Sequence, residues 1–170
     1  KVFHVDWESN FNNDFKLDNK ILGNIDPNEI INFHSIKKGI KNYLCILNSD
    51  GRFKKVLFDE DMIKSNRSFT ITKIKNNIKT IDSFVYNDEK NLIILTSIGR
   101  ILKFNLSNTF LMPTSKQSQG LVLAKLLPTE VIVSCCSYRN EENIYLVSRL
   151  GKIFCINSNE IYYANEYSLG

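Results

Sequence analysis

Residues that bear chemistry are scarce in this sequence. Its two histidines, His4 and His34, stand apart, and neither belongs to an HxH or HExxH pattern, so a zinc site has no ligand set to build on. Seven glycines are present, but none forms a phosphate-cradling loop or a GxSxG elbow, which removes the common nucleotide and serine-hydrolase chemistries. Asp59, Glu60 and Asp61 form a short acidic cluster with no partner at calcium-loop spacing, and they read as a solvated turn. The four cysteines, Cys45, Cys135, Cys136 and Cys155, lack metal-ligand spacing and read as ordinary thiols of a reducing, cytosolic setting. No catalytic residue, metal or cofactor is therefore expected of this chain itself.

Proline is as rare: Pro27, Pro113 and Pro128, each at an expected turn. No segment sustains a 3.6-residue apolar period, so little helix is expected, with room for one turn at Asp59 to Lys64. No apolar run approaches the roughly 20 residues needed to span a bilayer, and no membrane partner is expected. At 170 residues, 43% of them hydrophobic, the chain reads as a folded all-β protein rather than a disordered one.

What is present is repetition. Residues 42–56, 91–104 and 143–156 share one plan: an apolar run, a short polar stretch, a glycine (Gly51, Gly99, Gly151), a basic residue (Arg52, Arg100, Lys152), and a second apolar run. Two β-forming runs around a loop that needs one residue at positive φ predict a hairpin in each copy. The glycines are 48 and 52 residues apart, a period that fits blades of a propeller-like array. Ile25 to Ile31 (IDPNEII) returns 101 residues later as Leu126 to Ile132 (LLPTEVI), with a weaker copy at Ile74 to Ile81. The reading is about three to four blades of ~50 residues, each with four strands. Lys1 to Val5 (KVFHV) matches Lys152 to Ile156 (KIFCI). It reads as a strand of an incomplete or ring-closing blade, paired with the tail from Asn157 to Gly170. Because the sequence opens on Lys1, residues 1–170 are read as one repeat domain, a C-terminal piece of a longer chain.

Charge is unevenly spread. From Lys37 to Lys79 there are eleven basic residues against four acidic ones, a net +7, which leaves −3 for the remainder of a chain whose total is +4. A positive concentration of that kind predicts a polyanion-binding rim. Leu126 to Gly170 has three basic residues against five acidic ones, so that side is expected to face something other than a polyanion.

The order of phrases resembles a known family. Apolar strand, Ser/Thr-x-x-Gly-Arg, apolar strand, a loop ending in Gln-Gly, then Leu-x-x-Leu-Leu-Pro-x-Glu-x-Ile is similar to the repeats of bacterial type IIA topoisomerase A subunits. Asn91 to Ser134 carries the strongest match, and Pro113 to Leu127 resembles the segment that joins blades. The resemblance implies a β-pinwheel, in which blades exchange a strand with their neighbours. It also implies a non-catalytic C-terminal DNA-binding domain that holds and bends duplex DNA. The partners implied are double-stranded DNA, the rest of the A subunit and its B subunit, in the nucleoid-associated cytoplasm. ATP and Mg belong by that resemblance to the parent enzyme, outside this chain. Gyrases carry a Gln-Arg-Arg-Gly-Gly-Lys-Gly box, of which Thr114 to Gly120 keeps only the last glycine, while Lys64 to Ser68 keeps two basic residues and no glycine. That departure leans towards topoisomerase IV, whose domain lacks the intact box, or towards a gyrase whose box-bearing blade lies outside this sequence.

Candidate DNA contacts follow from the pattern. They are the bases after the hairpin glycines (Arg52, Lys54, Lys55, Arg100, Lys103, Lys152), those in the box-equivalent loops (Lys64, Arg67, Lys116), and Lys37 and Lys38 ahead of the first hairpin. The alternative is a propeller used as a protein-interaction platform, with an incidental basic flank and no nucleic-acid role.

Overall fold

The computed structural model describes residues 26, 29, 31–36, 39–58, 70–75, 77–86, 89, 91–106, 112–139 and 141–164. Among them, nine strands form three small antiparallel sheets. The first sheet has the order β3 (Thr80–Tyr86), β1 (Asn42–Asn48), β2 (Arg52–Phe58), β6 (Leu121–Val122). The second has the order β5 (Ile101–Asn105), β4 (Asn91–Thr96), β7 (Ile132–Tyr138), and the third pairs β8 (Asn143–Val147) with β9 (Ile153–Asn157). Helix among the described residues amounts to a 3-10 turn at Ser158–Glu160 and 3-10 backbone at Glu29.

Each hairpin closes in the same way. Gly51, Gly99 and Gly151 have φ of +82°, +83° and +75°, and their N–H groups donate to the carbonyls of Asn48, Thr96 and Ser148 at 3.1, 3.0 and 3.0 Å. The result is a turn followed by a left-handed residue, a loop form that suits glycine. The connection after the hairpin repeats as well. Ile78 N donates to Lys75 O at 3.2 Å and Glu130 N to Leu127 O at 3.1 Å, after Asn77 and Thr129 at φ +73° and +70°. Ser49 N then meets Lys79 O, and Ser97 N meets Val131 O, both at 2.8 Å. The register slips at the matching place, between Leu47 and Asn48 and between Leu95 and Thr96.

Period-two alternation decides which side chains form the core. On β1, Cys45 and Leu47 face the second sheet and join Phe53, Leu92, Ile94, Leu102 and Phe104 in one buried cluster. Leu44 and Ile46, on the opposite face, join Phe58 and Ile71. Beyond the second sheet, Ile93 and Tyr138 bury Ile144 of β8. Both faces of the first two sheets are thus covered, which explains why β1 and β4 are nearly continuous apolar runs rather than alternating ones. On the third sheet Tyr145, Val147 and Ile153 remain exposed.

The chain also crosses between sheets. After β4 and β5 in the second sheet, it returns to lay β6 on the outer edge of β2, with Arg52 opposite Val122 and Phe53 opposite Leu121, before entering β7. Gly51 and Gly120 admit that return, because a Cβ at Gly51 would lie 2.4 Å from Ala124 O and one at Gly120 would lie 2.5 Å from Phe53 O.

The tail reaches the second sheet: Tyr163 bridges Lys103 in parallel, and Ala164 N donates to Lys103 O at 2.8 Å. The expected pairing of the tail with Lys1 to Val5 falls on residues outside those described. The tail occupies on β5 the place that Thr114 occupies on β2, where Thr114 N donates to Lys55 O at 2.8 Å. Residues 1–5, 165–170 and the turn considered at Asp59 to Lys64 lie outside the described residues.

Candidate nucleic-acid interface

The cations that follow the first two hairpin glycines face neighbouring chain segments more than solvent. Lys54 is 1% exposed, and its Nζ donates to the carbonyls of Lys116 and Ser118 at 2.8 and 2.7 Å. Arg52, Lys54, Val56 and Phe58 share a face of β2, and the loop that approaches β6 runs over the Lys54 position. An ammonium enclosed in this way is disfavoured, and burial brings its pKa down from 10.5 to about 8.

Arg100 is committed to Glu130. Its Nε donates to Oε1 at 2.8 Å and its Nη2 to Oε2 at 2.7 Å, while Nη2 also reaches Lys125 O at 3.1 Å. Leu127 N donates to Oε2 at 2.8 Å. The paired guanidinium, helped by Thr96 and Leu127, outweighs burial and holds the Glu130 carboxyl at about 2 instead of 4.5. A depressed carboxylate contributes stability that is present above its unfolded pKa and lost as the pH falls through its folded one. In urea unfolding, the stability margin of the native chain over Glu130→Gln is expected to be constant above pH 4.5 and to shrink steadily towards pH 2. A margin independent of pH would show that Glu130 is not held as a buried anion.

Lys103 is also turned inward: its Nζ donates to Ser158 O at 3.0 Å and lies 4.5 Å from the Tyr163 ring centroid. Tyr163 in turn donates its hydroxyl to Asn91 Oδ1 at 2.7 Å. Lys55 is half-buried, with Nζ 3.7 Å from the Tyr86 centroid and 5.0 Å from that of Tyr43, a cation–π arrangement. Arg52 pairs with Asp50 at 3.3 Å and reaches Gly120 O at 3.4 Å. The expectation that these bases all face outward is therefore corrected for Lys54, Arg100 and Lys103. Each fastens a later segment onto its strand, because backbone carbonyls and a carboxylate lie where water was expected.

Lys116 and Lys152 are exposed. Lys116 sits on the loop clamped by Lys54, and Lys152 immediately precedes β9, its N–H donating to Ser148 Oγ at 3.0 Å. Lys37, Lys38, Lys64 and Arg67 lie outside the described residues. The glycine-based choice passed over Lys41, Lys73, Lys75 and Lys79, all exposed. Lys79 flanks the first hairpin turn, with its N–H donating to Ser49 Oγ at 3.1 Å. The charge count between Lys37 and Lys79 was the signal for these four, since it does not depend on the repeat.

Among the described residues no group of three or more His, Cys, Asp or Glu could hold a metal ion. Burial raises the Cys45 thiol to about 12 and that of Cys135, which lies 3.6 Å from Asp82 Oδ2, above the ordinary range. Those two thiols are protonated and inert at neutral pH.

No protein-family model matches the chain, and no curated protein sequence matches it. Solved structures do. The fold is similar to that of the DNA gyrase A C-terminal domain, with a TM-score of 0.66 and 18% identity over 80% of this chain and 44% of that one. It is similar to the C-terminal domain of DNA topoisomerase IV at 0.65 and 18%, covering 78% and 41%. The E. coli ParC C-terminal domain matches at 0.61 and 14%, covering 79% and 57%. The chain therefore spans about half the length of the solved chains it matches.

Proposed function

We propose that this chain is a non-catalytic DNA-binding and DNA-bending domain of a type IIA DNA topoisomerase, closer to topoisomerase IV than to gyrase. Its β-pinwheel of about three to four blades would hold a transported duplex by sequence-independent phosphate contacts. The observation that carries this reading is the fold likeness to C-terminal domains of DNA gyrase and topoisomerase IV. The +7 stretch between Lys37 and Lys79 supplies the charge. Such a domain needs no reactive side chains, because phosphate contacts position the duplex without reading its bases. Bending a 20–30 bp site costs about 1 to 6 kcal/mol by elastic estimates, which distributed lysines can offset. Strand cleavage and ATP use would belong to the rest of the A subunit and to the B subunit, in the cytoplasm at the nucleoid.

The contacting set is revised by the geometry. Lys116, Lys73, Lys75, Lys79 and Lys41 are exposed, and Arg52, Lys55 and Lys152 are retained from the sequence reading. Lys37, Lys38, Lys64 and Arg67 stay in the proposal on sequence alone. Lys54, Arg100 and Lys103 move to a structural role.

The test is fluorescence anisotropy with a labelled 30-bp duplex between 50 and 200 mM salt. Affinity is expected to fall steeply with salt, and changing Lys73, Lys75, Lys79 and Lys116 together to alanine should lower the log–log salt slope by about 3 to 4. No binding at 50 mM salt would retire the reading and leave the interaction platform in its place. Unchanged binding by the quadruple variant would show that the duplex lies on another face.

A further inference from the structure

We propose that Lys54 is a positioning residue: by drawing the carbonyls of Lys116 and Ser118 inward, it holds residues 115–119 as a preformed docking loop for a phosphodiester group. This rests on the DNA-binding reading above, which already includes Lys116, and goes further by giving Lys54 the role of shaping that loop.

The argument begins with peptide geometry. No cis peptide bond occurs among the described residues, and in a planar trans peptide the N–H points opposite to the C=O of the preceding residue. Lys116 O and Ser118 O both point at Lys54 Nζ, at 2.8 and 2.7 Å. The N–H groups of Gln117 and Gln119 must then point away from Lys54. The side chains of Lys116, Gln117 and Gln119 are exposed on the same short loop. Two backbone N–H groups turned away from Lys54, one on either side of Ser118 in the chain and next to a lysine, can complement an anion.

Two further tethers make the loop rigid before any ligand arrives. Ser118 N and Oγ both reach Ser115 O, at 3.2 and 3.1 Å. At the two ends, Thr114 N is bound to Lys55 O, and Gly120 lies against Phe53 O too closely for any side chain. A loop fixed in its binding form loses less entropy on docking than a free one. The lysine occupies a place where an apolar residue would otherwise be expected, between Val56 on its own strand and Ile46 across from it. An ammonium held there satisfies loop carbonyls that no apolar residue could satisfy. Lys54 would therefore act through the loop and touch no phosphate itself.

The experiment uses the whole chain with the same 30-bp duplex, and compares Lys54→Met, Lys116→Ala and the double variant, each with its unfolding transition measured alongside. Lys54→Met is expected to weaken binding about tenfold while the chain stays folded, with a salt slope reduced by about 1, as for Lys116→Ala. The double variant should bind no more weakly than Lys54→Met alone, because both losses pass through one loop. In ¹⁵N-detected titration of the native chain, the Gln117 and Gln119 amides should shift on adding duplex. Additive losses in the double variant, or undiminished binding by a folded Lys54→Met, would overturn the proposal. If Lys54→Met does not fold, the native titration still decides: duplex binding without shifts at Gln117 and Gln119 would end it. A native chain that does not bind duplex at all would instead remove the DNA-binding reading itself.

Discussion

Arg100→Ala is expected to destabilise the chain by about 3 to 5 kcal/mol, the range found when one partner of a buried ion pair is removed. The Glu130 side chain is 1% exposed and that of Arg100 18%, so the substitution leaves a buried carboxylate with only the Leu127 N–H and the Thr96 hydroxyl as partners and little water. The damage should spread beyond the pair. Glu130 follows Thr129, a β-branched residue at φ +70°, a conformation that persists only where its surroundings impose it. The carboxylate pins that turn from both sides, to Leu127 N within it and to Arg100 across it. Arg100→Lys should recover only part of the loss, since one ammonium cannot supply two parallel N–H donors. The first sheet shows a different solution at the matching positions, with Ile78 in place of Glu130 and Arg52 turned to Asp50. Ile98→Asp combined with Glu130→Ile should accordingly be less damaging than Glu130→Ile alone. Urea unfolding monitored by circular dichroism reads all of these, and a loss below about 1 kcal/mol for Arg100→Ala would mean that the pair behaves as a surface contact.

Four glycine substitutions should separate into two classes. Gly99→Ala and Gly151→Ala put a side chain at positive φ with nothing within 4 Å of the new Cβ, so the expected cost is the left-handed strain alone, about 1 to 2 kcal/mol. Gly51→Ala and Gly120→Ala carry that strain and also drive the Cβ to 2.4 and 2.5 Å from a backbone carbonyl oxygen. Neither Ala124 O nor Phe53 O can swing aside as a side-chain tip would, so a further penalty of about 1 to 3 kcal/mol of overpacking is expected, or the chain will not fold. Gly120→Ala should in addition loosen the loop that Lys54 clamps and weaken duplex binding. Thermal unfolding of the four variants is the measurement. Equal losses at all four sites would mean that the return of the chain onto β2 is not as close as described.

Those four glycines show how much was legible beforehand. Gly51, Gly99 and Gly151 look alike in sequence, and each does close a hairpin by the same N–H to carbonyl contact. That much is local: two apolar runs and a residue free to take positive φ specify a hairpin wherever they occur. The near absence of helix among the described residues was equally legible from the lack of a 3.6-residue period. What was hidden is which glycine has a second strand passing within touching distance, because that depends on residues about 70 positions further on.

The same division runs through the cations. Arg52, Lys54, Arg100 and Lys103 occupy similar places in the repeat, and periodicity alone would present them all to solvent. In the folded chain Lys54 is closed over by residues 116–118, Arg100 by residues 125–130 and Lys103 by residues 158–163. Each partner lies from 25 to about 64 residues away.

By itself, the order of residues determined the strands, the three hairpin turns and the overall excess of positive charge, since φ preference, side-chain alternation and composition are properties of neighbours along the chain. Only the tertiary structure decided which of those charges remain on the surface and which act as internal clasps. That outcome depends on which distant segment comes to cover a strand, and an ammonium enclosed by carbonyls has the same sequence signature as one in water.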